Sequence, residues 1–372
     1  MKIIGIGILA YVLVLLQRLI YKKYWDKNLH ISVAFAQGAI YEGEEGRILE
    51  VIENKKHLPL PMLKVKFQTS RNLGFSDDKG SKTTDQYYRN DIFQVGAKEK
   101  ITRTLRFRGN KRGYYSIRNI DYLASDLFFL GENSKSKETN SYMYVYPMIF
   151  KSEEFRLSLQ KLNGEIIVKR HILEDPFEYR GIREYQSFDD IRSVNWKATA
   201  RTGKLKVNQK NYTAMQTIRI FLNLEDNGIW KKDREIEASF QIAMGITAFF
   251  LAQGIQVSCY ANGKDMLTEE YTKVLHLASI GQLEVLGKTL ARVDAEKTPY
   301  VFADLFKEEV ISDKDGFFTF FVSPNGYDEF VELMKKCKEQ KMGFCWYYPV
   351  ISSEKPELPK GIEEDVRVIH LI

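Results

Sequence analysis

Thr217-Ile218-Arg219-Ile220-Phe221-Leu222-Asn223-Leu224 is the stretch on which the fold turns. Its nearly continuous apolar content suits a strand buried on both faces, as in parallel sheets whose faces are covered by helices. Residues 232–251 follow with the period of an amphipathic helix. Next come a strand at Ile255-Gln256-Val257-Ser258-Cys259-Tyr260, helical segments over 273–280 and 283–292, and a strand over 316–322. A helix over 328–340 and strands over 342–348 and 366–371 close the chain. Alternation of this kind predicts a mainly parallel, Rossmann-like α/β domain over residues 213–372.

Upstream, residues 29–150 change period. Ile31-Ser32-Val33-Ala34-Phe35, Arg47-Ile48-Leu49-Glu50-Val51-Ile52, Leu63-Lys64-Val65-Lys66-Phe67 and Ile101-Thr102-Arg103-Thr104-Leu105-Arg106-Phe107 alternate apolar with polar residues. A period of two at this spacing predicts antiparallel strands in a small β-sandwich. Residues 70–88 and 131–141, rich in Lys, Asp and Ser, are expected to be mobile surface loops. The basic run Arg106-Phe107-Arg108-Gly109-Asn110-Lys111-Arg112-Gly113 is expected to turn a hairpin corner, since no base-stacking module surrounds it.

Residues 1–28 begin with an apolar run over 3–16, interrupted at Gln17-Arg18 and flanked by Tyr21-Lys22-Lys23-Tyr24-Trp25. That is long enough to cross a bilayer if Arg18 snorkels, with the Tyr/Trp cluster at the interface. The basic residues that follow the span place the remainder of the chain in the cytoplasm, as a single-pass cell-membrane protein.

The 372 residues exceed what one hydrophobic core supports, so at least two domains are expected. A net charge of +6 arises from 55 basic and 49 acidic residues interleaved, a balance that does not favour nucleic acid. Cys259, Cys337 and Cys345 are an odd number without CxxC spacing and are expected to be buried free thiols. Scattered histidines and the absence of P-loop, GxGxxG and GxSxG patterns remove zinc, nucleotide and common hydrolase readings.

Residues 151–212 join the two domains and hold the densest charge, in Tyr179-Arg180-Gly181-Ile182-Arg183-Glu184-Tyr185 and Asp189-Asp190-Ile191-Arg192-Ser193-Val194-Asn195-Trp196, then Ala200-Arg201. Paired carboxylates could serve acid-base chemistry. A helix capped by Ser187 or Asp189 and closed by Gly203, with Arg180, Arg183, Arg192 and Arg201 clamping Glu178, Glu184 or Asp190, accounts for the same residues without catalysis.

These residues resemble the signature of the bacterial domain of unknown function 58 family, roughly Arg-Glu-Tyr, Gly-Asp-x-x-Arg-x-Ile-x-Trp and Ala-Arg, with Phe188 and Val194 as departures. Upstream, Ser125-Asp126-Leu127-Phe128-Phe129-Leu130 and Val145-Tyr146-Pro147 are similar to the family's Asp-Leu-Phe-Gly-Leu and Val-Tyr-Pro elements. The resemblance implies a membrane-anchored chain with a β-domain and a von Willebrand factor A-like domain. It also implies a MoxR-type AAA+ ATPase and a transglutaminase-like membrane protein as partners.

The metal-dependent adhesion site of von Willebrand factor A domains uses Asp-x-Ser-x-Ser after its first strand, where this chain has Asn223-x-Glu225-x-Asn227. Oxygen ligands for magnesium remain, but the charge and hydroxyl pattern is lost, so no cofactor is expected. The leading expectation is a non-enzymatic scaffold or adaptor that binds protein through the signature residues Arg180, Gly181, Arg183, Glu184, Tyr185, Asp189, Asp190, Arg192, Trp196 and Arg201. The alternative is a metal-dependent hydrolase using Asp189, Asp190 and Glu225.

Overall fold

The computed structural model describes residues 2–75, 81–83, 86–172, 179–186, 191–210, 217–226, 228, 231–310, 317–351, 356 and 358–371. They form two compact units, Met1–Met148 with Leu290–Arg292, and Ile149–Thr289 with Val293–Ile372. The chain is mixed α and β, with an apolar N-terminal helix and several β-sheets.

In the first unit, α1 (Lys2–Tyr24) precedes β1 (Leu29–Phe35), β2 (Ala39–Tyr41), β3 (Glu45–Asn54), β4 (Leu60–Ser70) and β5 (Leu73–Phe75). Then follow β6 (Ser81–Thr83), β7 (Gln86–Val95), β8 (Lys100–Gly109), β9 (Gly113–Ser125) and β10 (Glu132–Tyr146). Two sheets result, in the orders β1-β3-β8-β5 and β2-β10-β9-β4-β7-β6. Alternation buries Val33, Ile48, Ile52, Leu105 and Phe107 of one sheet with Leu63, Val65, Ile117 and Ile120 of the other in one core.

α1 is long and apolar enough to cross a membrane, and its surface from Ile4 to Ile20 is largely exposed. Of its aromatic flank, expected at a membrane interface, only Tyr24 is exposed. Tyr21 and Trp25 are buried in the core between the sheets, with the Tyr21 hydroxyl donating to the Pro59 carbonyl at 2.9 Å and Trp25 packed 5.6 Å from Tyr122. The helix thus passes directly into the sandwich.

Residues 132–141 are not loop but the first part of β10, paired with β9 through a bulge between Glu138 and Ser141. Backbone pairing carries the strand although its side chains there are mostly exposed, and Lys135 reaches Asp26 at 3.0 Å. The basic run does not turn a hairpin as expected: residues 110–112 carry the chain from β8 in one sheet across to β9 in the other.

The second unit contains α2 (Glu153–Ile172), β11 (Tyr179–Glu184), α3 (Trp196–Thr202), β12 (Lys206–Lys210), β13 (Thr217–Leu222), α4 (Asp233–Leu251) and β14 (Gln256–Asp265). After these come β15 (Tyr271–Leu277), α5 (Leu283–Ala291), β16 (Val293–Asp294), α6 (Phe302–Val310), β17 (Phe317–Val322), α7 (Asp328–Glu339), β18 (Phe344–Ile351) and β19 (Val366–Leu371). The main sheet runs β15-β14-β13-β17-β18-β19, parallel except for β15, with β16 beside β14. Every residue of β13 is buried, as its composition predicted. Phe221, Phe321 and Trp346 pack with α6 and α7 on one face. On the other, Phe320 meets Phe250 of α4 at 5.4 Å, and Tyr347 meets Phe155 of α2 at 5.3 Å.

The segment 273–280, expected as helix, is instead mostly edge strand β15, antiparallel to β14. Val274 and Leu277 both face inward because His276 has φ +55° and the pairing slips there, and this three-residue spacing imitates a helical period. α2 has no counterpart in the sequence reading. Its buried stripe Phe155, Leu159, Leu162 and Ile166 has helical spacing but lies in a stretch dominated by charge.

Candidate functional site

Two places in the second unit gather the residues that the sequence singled out: the signature segment, and the crevice at the carboxyl ends of the parallel strands. The signature folds as a small two-stranded sheet of β11 and β12, with a 3-10 turn at Ile191–Ser193 and then α3. The expected caps Ser187 and Asp189 lie outside the described residues, and α3 itself starts at Asn195. Val194 bridges to Val207 and Asn195 turns the chain, its Oδ1 accepting the Ala198 N–H at 2.9 Å while its Nδ2 donates to Asn208 Oδ1 at 2.7 Å. At the other end Gly203, φ +67°, closes α3 as expected, its N–H donating to the Thr199 carbonyl.

Glu184 is an exposed ion-pair partner of Lys204 at 3.5 Å and Lys206 at 3.3 Å, a lysine pairing the sequence reading did not foresee. The hydrogen bond from Lys206 and the charge of Lys204 hold its carboxyl below the usual range. Tyr185 donates its N–H to the Leu205 carbonyl, and Arg183 Nη1 reaches the Glu184 carbonyl at 3.0 Å. Gly181 pairs with Gln209 beside a bulge in the ladder. Arg192 lies in the 3-10 turn and Arg201 in the last turn of α3; Arg180 is within β11. Asp189 and Asp190 lie outside the described residues, as does Glu178. Apolar side chains share this surface with the charged ones: Ile182, Ile191, Trp196 and Leu205 are all exposed, Trp196 at 65%.

The crevice forms where the strand order reverses, between β13 and β17, because crossovers leave these strands in opposite directions across the sheet. β13 delivers Asn223 there, 1% exposed, with its N–H on the Val322 carbonyl. Asn223 Oδ1 accepts the Glu225 N–H at 3.0 Å and Asn262 Nδ2 at 3.3 Å. Asn262 Oδ1 accepts the Leu224 N–H at 2.8 Å. Glu225 Oε1 accepts the Phe302 N–H at 2.8 Å, closing the start of α6. Burial raises the Glu225 carboxyl, and the Phe302 N–H offsets part of that rise. Asp226 caps the Lys232 N–H at 2.9 Å, and Lys232 Nζ reaches the Pro324 carbonyl at 2.8 Å. Sequence reasoning missed three buried polar residues: Asn262, within β14 and one past the residue paired with Leu222, and Ser323 and Asn325, which follow β17. For Ser323, a polar residue just after an apolar strand was the signal available.

Among the described residues the oxygens at this position are already engaged with the chain, which does not favour a hard cation. The Asn223 oxygen and one Glu225 oxygen already accept backbone N–H groups, and the buried atoms without a partner are Asn223 Nδ2 and both amide atoms of Asn325. An unsatisfied NH2 group repels a cation and invites an acceptor such as water or a carbonyl. Asn227 lies outside the described residues, and among those described no three His, Cys, Asp or Glu side chains cluster to hold a metal.

No curated protein matches the chain. Among solved structures it is similar to a non-cellulosomal cohesin from Archaeoglobus fulgidus, at 12% identity over 34% of this chain and 96% of that one, TM-score 0.22. A CARDB domain from Pyrococcus furiosus is similar at 15% identity over 32% of this chain and 88% of that one, TM-score 0.21. Superpositions this loose carry no argument about fold or activity. Residues 181–254, from the signature through β13 to the turn after α4, match the family described as "Protein of unknown function DUF58".

Proposed function

We propose that this protein is a non-enzymatic scaffold, anchored in the cell membrane by α1, that docks a protein partner through the signature segment. The observation that carries the reading is the exposure of Trp196 with Ile182, Ile191 and Leu205 on a subdomain whose own fold is held by caps and backbone pairing. Exposed large aromatic and aliphatic side chains of this kind are the usual anchors of protein interfaces. The α/β unit is read as von Willebrand factor A-like, supported by a strand order of 3-2-1-4-5-6 in which the third strand is antiparallel. Basic residues after the apolar span support a cytoplasmic placement of both units.

The partner assigned is a MoxR-type AAA+ ATPase, within an envelope or chaperone-like assembly that includes a transglutaminase-like membrane protein. Pull-down from native membranes, with and without nucleotide, tests this. Wild type should recover the ATPase, and Trp196→Glu should recover much less at an unchanged melting temperature. Failure to recover it in either nucleotide state sinks the partner assignment.

A further inference from the structure

The turn between β9 and β10 is built to hold four consecutive apolar side chains outward. Asp126, itself buried, accepts the N–H groups of Phe128 at 3.1 Å and Leu130 at 2.9 Å on Oδ1. The Phe129 N–H donates to the Asp126 carbonyl, and the Asp126 N–H to the Gly131 carbonyl. With these backbone donors satisfied inside the turn, Leu127, Phe128, Phe129 and Leu130 project at 47%, 52%, 58% and 58% exposure. Phe129 also takes φ +59°, a conformation a bulky side chain adopts only under strain. Neither exposure nor strain adds anything to the sandwich core.

The position of this tip is what gives it meaning. Gln17 Oε1 of α1 accepts the Leu127 N–H at 3.3 Å, so the tip lies level with the apolar part of the helix. Lys22 is five positions beyond Gln17, about 7.5 Å along the axis at ~1.5 Å per residue, on the side of the sandwich. Leu15, Leu16 and Leu19 are exposed around the same level, so apolar surface continues from helix to tip. Arg18 and Lys22 line a cleft of about 430 Å³ shared with Asp126, Gly131 and Glu132, a polar collar suited to the headgroup layer. With the N–H groups of residues 127–130 met by Asp126 within the turn and by Gln17 of α1, the cost of bringing the tip into lipid is lowered.

We propose that residues 127–130 are a second membrane contact, a wedge that enters the acyl boundary of the leaflet beside α1. The inference rests on the reading of α1 as a membrane anchor and adds to it that the sandwich is seated on the bilayer. The occupant of this apolar surface is lipid, because the surface is continuous with that of the membrane helix.

The test uses the full chain in lipid nanodiscs, labelled with an environment-sensitive fluorophore at one introduced cysteine. The native Cys259, Cys337 and Cys345 are buried and leave the label specific. Phe129→Cys reports the wedge, Leu9→Cys the anchor, and Arg71→Cys, at the far end of β4, the aqueous reference. Lipids carrying nitroxide near the headgroup read positions 129 and 71, and lipids carrying it at mid-chain read position 9; headgroup quenching should be several-fold stronger at 129 than at 71. Quenching at 9 with none at 129 overturns the wedge and leaves the anchor standing. Quenching at neither position removes both.

Discussion

Glu225 Oε1 accepts the backbone N–H of Phe302 at 2.8 Å, so the loop after the first strand of the main sheet closes the start of a helix 77 residues later. A carboxylate at a helix N-terminus meets both an unpaired N–H and the positive end of the dipole. Glu225→Ala should destabilise the second unit by about 1 kcal/mol, whereas Glu225→Gln, which keeps an acceptor, should cost less. Because burial raises this carboxyl, stability linked to it is full below the ordinary glutamate pKa and falls as pH rises through the raised value. The stability of Glu225→Gln relative to wild type should therefore improve between pH 4 and pH 7, as read by urea denaturation.

A second carboxyl makes a stronger claim of the same sign in the first unit. Glu50 lies in the sandwich at 1% exposure, where burial and then the like charge of Asp91 push its pKa to about 8, against the opposing charges of Arg103 and Arg89. Its stabilising contribution is full below about 4.5 and is lost as pH rises through about 8. Glu50→Gln should be close to neutral at pH 4. At pH 9 it should be more stable than wild type, by an amount on the order of a few kcal/mol, measurable as a shift in denaturation midpoint.

Gly245 in α4 marks the closest approach of α2 and the chain before it. A Cβ there would stand 2.7 Å from the Phe150 carbonyl oxygen and 2.9 Å from the Phe155 ring. Backbone cannot yield as a side-chain tip can. Gly245→Ala should cost about 1–3 kcal/mol despite the better helix propensity of alanine, and thermal unfolding would show it as a lowered midpoint.

Phe129→Gly should act in the opposite direction. Relief of the left-handed strain is worth about 1–2 kcal/mol, against about 0.5–1 kcal/mol of added chain entropy, leaving a gain of up to about 1 kcal/mol. Thermal unfolding in detergent, where no bilayer contact is lost, is the suitable measurement.

The main sheet was legible because β13 is apolar apart from Thr217 and Arg219 and most later strands are bounded by turn residues. β15 was not, since a slip at His276 gave an edge strand the spacing of a helix. The first part of β10 escaped because pairing with β9 supports polar residues that carry no alternating pattern. At the signature, Gly203 was readable as a helix end, but the start at Asn195 depends on a bridge between Val194 and Val207 that no local pattern announces. In the crevice the motif position put Asn223 and Glu225 just after the first strand of the sheet, where they lie. That their oxygens accept backbone N–H groups follows from loops distant in sequence, which spacing does not encode.

Tyr21 and Trp25 join the apolar helix to the sandwich core without an intervening flexible linker. Slack between a membrane helix and a folded domain lets the two move independently; here a turn of the helix is itself part of the domain. On the proposed reading of α1 as a membrane anchor, the helix is a lever and not a tether: a torque applied to the sandwich would appear as tilt of the helix in the bilayer, and bilayer thickness would in turn bias how the sandwich is presented.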